Sequence, residues 1–470
     1  MTAAFDAIVI GAGQAGPALA GRLTAAGRTV ALIERKLFGG TCVNTGCMPT
    51  KALVASAHAA HMARRAADFG VAIAGAVSVD MAAVKARKDK VAGDARRNVE
   101  HWLKGMARCT VYEGHARFES PRVIHVATGA GGERLTAERI FINVGGRALV
   151  PDLPGVDRVP YLTNTGILDL DRLPRHLVIV GGSYIGLEFA QMYRRFGSAV
   201  TIVEKGPRLI GREDEDVSDA IRAILEAEGI TVRLNADCIR LDPQGAEVAV
   251  GVDCRSGEPT VVGSHLLLAV GRRPNTADLG LEAAGVAVDE RGYIRVDEQL
   301  RTNVPGIWAL GDCNGRGAFT HTAYNDFEIV AANLLDGGLP DGGVAGTPRR
   351  VDDRIDAYAL YIDPPLGRVG LTETQARRTG RRLQVGTRPM TRVGRAVEKG
   401  ETQGFMKIVV DAESREILGA AILGVGGDEA IHGVLDIMAA KAPYTTLQRA
   451  VHIHPTVSEL IPTMLGELRP

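Results

Sequence analysis

The sequence lacks any charge excess: Lys plus Arg and Asp plus Glu number 55 each, for a formal net charge of zero. Without an overall basic field, nothing favours nucleic acid or an anionic membrane surface as a partner. It has no apolar run of about 18 residues, the length a membrane span needs. The opening residues, MTAAFDAIVIGAGQAG, show no basic leader followed by an apolar stretch and a small-residue cleavage site. A cytoplasmic protein is the expectation. Cysteine is scarce, and of the six (Cys42, Cys47, Cys109, Cys238, Cys254 and Cys313) only the first two are neighbours in sequence. In a reducing compartment a disulfide between them would be catalytic rather than structural.

What the chain has is length and glycine. Its 470 residues exceed one comfortable core and predict two or three domains. It holds 57 glycines where average usage would give roughly 33, many of them in short motifs, which points to backbone passing close to ligands.

An apolar strand pattern at Ala7–Ile10 runs into Gly11-Ala-Gly13-Gln-Ala-Gly16, then an alanine-rich helix pattern, then a second strand from Thr29 that stops at Glu34. The layout recurs as Leu177–Val180, Gly181-Gly-Ser183-Tyr-Ile-Gly186, a helix pattern, and Val200–Val203 closed by Glu204. In both, the acidic residue follows the first glycine by the same interval (34 − 11 = 204 − 181 = 23). A free helix N-terminus suits a pyrophosphate, glycines let it approach, and a carboxylate can accept from a ribose hydroxyl. A lone glycine turn could simply pack a helix on a sheet, but here all three requirements occur twice, with Ser183 replacing the second glycine of the later unit.

Between these units, 80–106 reads as a long charged helix and 109–143 as short strands broken at Gly129-Ala-Gly131-Gly132. Strand-like Leu266–Val270 then meets Gly271-Arg-Arg-Pro274, suited to a domain crossing. From about Gly346 alternating strands such as 405–410 and 417–422, followed by helical segments, predict an α+β domain.

Gly39-Gly-Thr-Cys42-Val-Asn-Thr-Gly46-Cys47-Met-Pro49-Thr-Lys51 is the most informative segment. Cysteines five apart on a regular helix are too distant for a disulfide, so the backbone must turn more tightly, as Gly46 permits. Pro49 fits only the first turn of a helix, which puts Cys47 near a helix N-terminus, where the dipole favours thiolate. A structural zinc site would need two further ligands at short spacing, and none occurs nearby; no metal site is expected.

This segment resembles the redox-disulfide motif of the class I pyridine nucleotide-disulfide oxidoreductases, a family that includes dihydrolipoamide dehydrogenase, glutathione reductase and mercuric reductase. The likeness covers nearly the whole chain, because the two dinucleotide units, Thr302-Asn-Val-Pro-Gly-Ile-Trp-Ala-Leu-Gly311-Asp312 and His454-Pro-Thr-Val-Ser-Glu459 follow in the family's order. It implies an α/β fold with two Rossmann-like dinucleotide-binding domains and a C-terminal α+β dimerisation domain. The divisions would be 1–149 with 272–345 for FAD, 150–271 for NAD(P), and 346–470 for the interface.

By the same resemblance, Gly11, Gly13 and Gly16 hold the FAD pyrophosphate, Glu34 its adenosine ribose, and Gly311 and Asp312 its ribitol. Gly181, Ser183, Gly186, Glu204 and Gly271 belong to the nicotinamide site. Cys47 would be the charge-transfer thiol against the flavin and Cys42 the interchange thiol that meets substrate. Lys51 and Glu188 match the family's ion pair beside the flavin, and Tyr184 the aromatic lid. On their own, Lys51 and Glu188 read as helix-surface charges and Tyr184 as core.

His454 and Glu459 make physical sense without the family. Pro455 predicts a helix start, and a glutamate one turn in can lean back to orient the imidazole and raise its basicity, as thiol chemistry near neutral pH requires. In the family the pair serves the opposite subunit, which implies a homodimer with shared active sites. A small disulfide or dithiol is the expected substrate, since mercuric reductase replaces the histidine and adds a C-terminal cysteine pair, whereas the last cysteine here is Cys313. Metal-ion reduction is the alternative, because the stretches 180–190 and 317–326 resemble mercuric-reductase-like chains. A low-turnover redox-sensing flavoprotein is a third reading. Glu204 would repel a 2′-phosphate, so NADH is expected over NADPH, although Lys205 and Arg208 keep NADPH open.

Overall fold

The computed structural model describes residues 2–129, 131–237, 239–252, 259–337 and 346–470. Cys238, Cys254 and Ala130 of the glycine-rich break lie outside the described residues. The chain divides into two α/β units. The first comprises Met1–Ala52, Lys85–Leu149 and Gly271–Arg354; the second comprises Leu53–Val84, Val150–Val270 and Ile355–Pro470.

In the first unit the apolar run Ala7–Ile10 is the buried end of the strand Thr2–Ile10. Parallel partners flank it on both sides, Val30–Glu34 and Gly131–Ile142, within a seven-stranded sheet. Such strands are covered on both faces, which is why they read as unbroken Val/Ile/Leu runs rather than alternations. The helix Ala15–Ala25 begins just beyond the strand end and buries Leu19, Ala20 and Leu23 against it. The antiparallel strands His115–Ser120 and Val123–Thr128 extend the same sheet. The charged segment forms the helix Met81–Lys104.

The second unit repeats the arrangement. Strands His176–Val180, Ala199–Val203, Thr231–Arg233 and His265–Leu268 form a four-stranded parallel sheet. The helix Tyr184–Phe196 buries Leu187, Phe189, Ala190, Met192, Tyr193 and Phe196. This unit also contains a five-stranded antiparallel sheet that includes Phe405–Asp411 and Ile417–Leu423. The helix Gly427–Ala439 places Ile431 and Val434 in the core with that sheet's Met406, Ile408 and Ile422. Among the described residues no helix is long and apolar enough to cross a membrane.

Candidate active site

Gly11 follows the end of its strand at a φ of 106°, and its missing Cβ leaves room for a close pass: a methyl there would lie 2.3 Å from the Asn143 carbonyl oxygen. The turn is tied to the acidic residue downstream. Glu34 accepts from the Ala12 N–H at 2.9 Å through one carboxylate oxygen and from the Lys36 N–H at 2.8 Å through the other. Asn143, buried behind the turn, donates from Nδ2 to the Gly11 carbonyl at 3.3 Å. Gly311 and Asp312 sit in a 3-10 turn, Gly311–Asn314. Asp326 shapes that turn by accepting from the Gly311 N–H at 2.8 Å and the Asn314 amide at 2.9 Å. Burial raises the carboxyl pKa of Asp312, opposed by Arg272 at 3.4 Å.

The cysteines lie on two successive helices rather than one. Gly40–Asn44 makes a single short turn, the chain breaks at Thr45 and Gly46, and Cys47 opens the helix Cys47–Arg64. Pro49 stands in its first turn, as its missing N–H requires. A side chain at Gly46 would approach the Thr41 carbonyl to 2.9 Å, so glycine is what lets the two helices meet this closely. Asn44 locks the first helix, donating to the carbonyls of Phe38 and Gly40 at 2.8 and 2.9 Å.

Both cysteines are thiols here, and their acidities are pushed apart. The hydrogen bond from Cys42, then the Thr320 hydroxyl 3.1 Å from Cys47 Sγ, then the Lys51 charge one turn along the helix lower Cys47 to about 6 against the opposing effect of burial. The hydrogen bond to Cys47, followed by burial, raises Cys42. The negative charge therefore rests on Cys47 while Cys42 keeps its proton.

In the second unit, Gly181 (φ 118°) and Glu204 repeat the first. One Glu204 oxygen accepts from the Gly182 N–H at 2.6 Å and the other from the Gly206 N–H at 2.7 Å. Ser183 is the extended N-cap residue of the helix Tyr184–Phe196, with no capping hydrogen bond from its side chain. Tyr184 meets the Tyr358 ring edge-on at 5.5 Å, and burial, with Arg212 opposing, pushes its phenol up to about 12. Glu188 is buried and accepts from the Tyr361 N–H at 3.0 Å, so it is not the surface charge its sequence position suggests. Gly271 opens the third segment of the first unit and accepts from the Leu149 N–H at 3.0 Å.

His454 Nδ1 lies 2.9 Å from Glu459 Oε2 and 3.1 Å from Oε1, so the two are brought together as expected. The predicted helix start at Pro455 is wrong. The His454–Pro455 peptide is cis, and helical structure begins only at the 3-10 turn Ser458–Leu460. The Thr456 hydroxyl makes the turn instead, donating to the Ile453 carbonyl at 2.8 Å and accepting from the Glu459 N–H at 3.2 Å. His454 is 79% exposed, in a segment that also exposes Val451 fully and Ile453 by 80%.

The profile of the family described as pyridine nucleotide-disulphide oxidoreductase matches residues 5–326, and that of the family's dimerisation domain matches residues 357–465. The chain belongs to this family. It is 39% identical over 459 residues to the probable pyridine nucleotide-disulfide oxidoreductase RclA of Escherichia coli (strain K12), covering 97% of each chain. It is 34% identical over 458 residues to a mercuric reductase of Streptomyces lividans, covering 97% of this chain and 94% of the relative. Among solved structures it is similar to the Cu(II) complex of the HOCl-induced flavoprotein disulfide reductase RclA from Escherichia coli. That match has a TM-score of 0.88 and 37% identity, and it covers 98% of this chain and 99% of the other.

Membership makes the chain a flavoprotein oxidoreductase that uses FAD and a pyridine nucleotide, and its dimerisation domain fits a homodimer. The residues fit a flavin dinucleotide: a methyl at Gly16 would lie 2.2 Å from the Gly11 carbonyl, so the turn is open only because both are glycine. Sequence reading missed Asn143, Thr320 and Asp326. Asn143 directly follows the strand Gly131–Ile142, two residues before Gly145, a local signal that could have drawn notice; Thr320 and Asp326 lie in the stretch 317–326 already singled out, but nothing local there points to their partners.

Proposed function

We propose that this family member passes electrons from a nicotinamide dinucleotide, with NADH preferred, through FAD and the Cys42/Cys47 pair to a small disulfide, or in reverse from a dithiol, in the manner of dihydrolipoamide dehydrogenase. The observation that carries the reading is the His454–Glu459 pair, 2.9 Å apart, with the imidazole otherwise exposed. Bound flavin supplies the two-electron link between nicotinamide and sulfur.

Cys42, whose proton is held tightly, needs a base to become a nucleophile, and His454 backed by Glu459 is that base across the dimer interface. The Cys42 thiolate attacks one sulfur of the substrate disulfide, and the substrate S–S bond breaks. His454 returns its proton to the departing thiolate. Cys47, already a thiolate near neutral pH, attacks the Cys42 sulfur, releases the second substrate thiolate and leaves the Cys42–Cys47 disulfide to be reduced again. Lys51 and Glu188 belong to the flavin environment and Tyr184 is the lid over the nicotinamide position. The three-domain division and a cytoplasmic location accompany this reading.

A second reading, reduction of a thiophilic metal ion, is supported by the Cu(II) complex of the RclA structure at 37% identity. The test is a panel of dihydrolipoamide, small disulfides, Cu(II) and Hg(II) on the FAD-loaded enzyme, repeated with His454→Ala. The expected result is disulfide or dithiol turnover that falls at least about a hundredfold in the variant, while flavin reduction by NADH is nearly unchanged. Efficient metal reduction indifferent to His454, with no disulfide turnover, would replace the first reading by the second. Retained FAD with no turnover of either class would leave a redox-sensing role.

A further inference from the structure

Arg212 stands out because its charge is uncommitted. It is exposed, and among the described residues no carboxylate lies within ion-pair distance of it, although Glu213 and Asp214 follow directly in sequence. Those two are turned inward. Glu213 accepts from Arg368 and from the Tyr358 hydroxyl, and Asp214 accepts from the Thr374 N–H and hydroxyl at 2.9 and 2.7 Å and pairs with Lys407. The Arg212 guanidinium lies instead over two aromatic rings, 4.7 Å from the centre of Tyr184 and 5.6 Å from that of Tyr358.

Its loop is also folded back on the second glycine turn. The Ile210 N–H donates to the Gly182 carbonyl at 2.9 Å, and a methyl on Gly182 would come within 2.7 Å of the Leu209 side chain. An exposed cation is thus tethered beside the backbone N–H groups that open the helix Tyr184–Phe196, where anionic groups are favoured. Tyr358, held by its hydroxyl to the buried Glu213–Arg368 pair, gives Tyr184 a fixed surface to close against.

We propose that Arg212 is a latch: it clamps the Tyr184 ring over Tyr358 when the second turn is empty, and transfers to the pyrophosphate of the nicotinamide dinucleotide when Tyr184 moves aside. This rests on the reading of Tyr184 as lid and Gly181–Gly186 as the nicotinamide turn. A guanidinium over a ring is held weakly enough to leave, and a pyrophosphate offers it paired charge-assisted hydrogen bonds. The exchange makes lid opening and dinucleotide capture one event.

The test is calorimetric titration of the oxidised, FAD-loaded enzyme with ADP-ribose, 2′-phospho-ADP-ribose and AMP, in wild type and Arg212→Gln. The side chain is exposed, so FAD content and thermal unfolding should be unchanged. We expect ADP-ribose and its 2′-phosphate form to weaken together by about tenfold, as loss of a charged contact implies, with AMP unaffected. Equal ADP-ribose affinity in both proteins would overturn the proposal, and so would a loss confined to the 2′-phosphate ligand. Failure of wild type itself to bind any of the three would instead overturn the underlying assignment of the nicotinamide turn.

Discussion

Gly11 and Gly181 open their turns at φ of 106° and 118°, with missing Cβ atoms that would lie 2.3 Å from the Asn143 and 2.4 Å from the Ala269 carbonyl oxygens. Gly16 and Gly186 each pass 2.2 Å, as imagined methyls, from the carbonyl of the first glycine. Glu34 and Glu204 accept from equivalent N–H groups. The backbones are nearly copies, and the walls are not. Behind the first turn stands the amide of Asn143, and in front of it the redox loop folds in, with Gly40 so near that a methyl would sit 2.8 Å from Gly13 Cα. The second has Ala269 behind it and, in front, Ser183, Tyr184 and an exposed Arg212. One turn is enclosed by the redox loop, which fits the proposed resident FAD; the other is faced by an exposed arginine over an aromatic ring, which fits the proposed exchange of the nicotinamide dinucleotide. The motif is shared, and its neighbours decide its use.

The most severe way to break that comparison is to fill each turn. Gly16→Ala should yield protein without FAD, whereas Gly186→Ala should keep FAD and lose flavin reduction by NADH by at least about tenfold, since forced overpacking against backbone costs roughly 1–3 kcal/mol. The FAD-to-protein absorbance ratio and stopped-flow reduction read the two losses separately. A Gly186→Ala protein that came out colourless would mean that the turns are not independent.

A milder change confined to the first turn's surroundings is Thr320→Ala. The hydroxyl helps to hold Cys47 at about 6, so the long-wavelength band of its thiolate against the flavin in the two-electron-reduced enzyme should grow in as pH rises through that value and level off above it. In Thr320→Ala the inflection should move upward, with NADH affinity unchanged. An inflection that stays in place would assign the acidity to Cys42 and Lys51 alone.

The smallest effect is expected at Glu204→Ala. Removing a carboxylate that disfavours a 2′-phosphate should narrow a preference for NADH over NADPH by less than about tenfold, given solvent screening at a partly exposed group. Stopped-flow reduction with each cofactor measures it, and a wild type that prefers NADPH would contradict the role given to Glu204. Glu34→Ala should leave the ratio untouched.

Both turns were readable in advance because their requirements are local: a strand end, glycines that no side chain can replace, and an acid at a fixed interval. The Cys42/Cys47 geometry was readable for the same reason, through Gly46 and Pro49. Pro455 misled because a proline that can begin a helix can equally sit in a turn, and Thr456, not the proline, sets the chain direction there. Thr320 reaches Cys47 from 273 positions away, and Tyr358 reaches Glu213 from 145. Such partners are made by topology, and no spacing rule reports them.

The divided acidity of the two cysteines has a consequence for the enzyme's own survival. Cys42, the sulfur proposed to meet substrate, holds its proton tightly, and a thiol reacts far more slowly than a thiolate with small electrophiles and oxidants. The charge sits instead on Cys47, which in the proposed roles faces the flavin rather than solvent. The reduced pair thus waits in a guarded form, and its reactive sulfur is released only when a base draws the proton away.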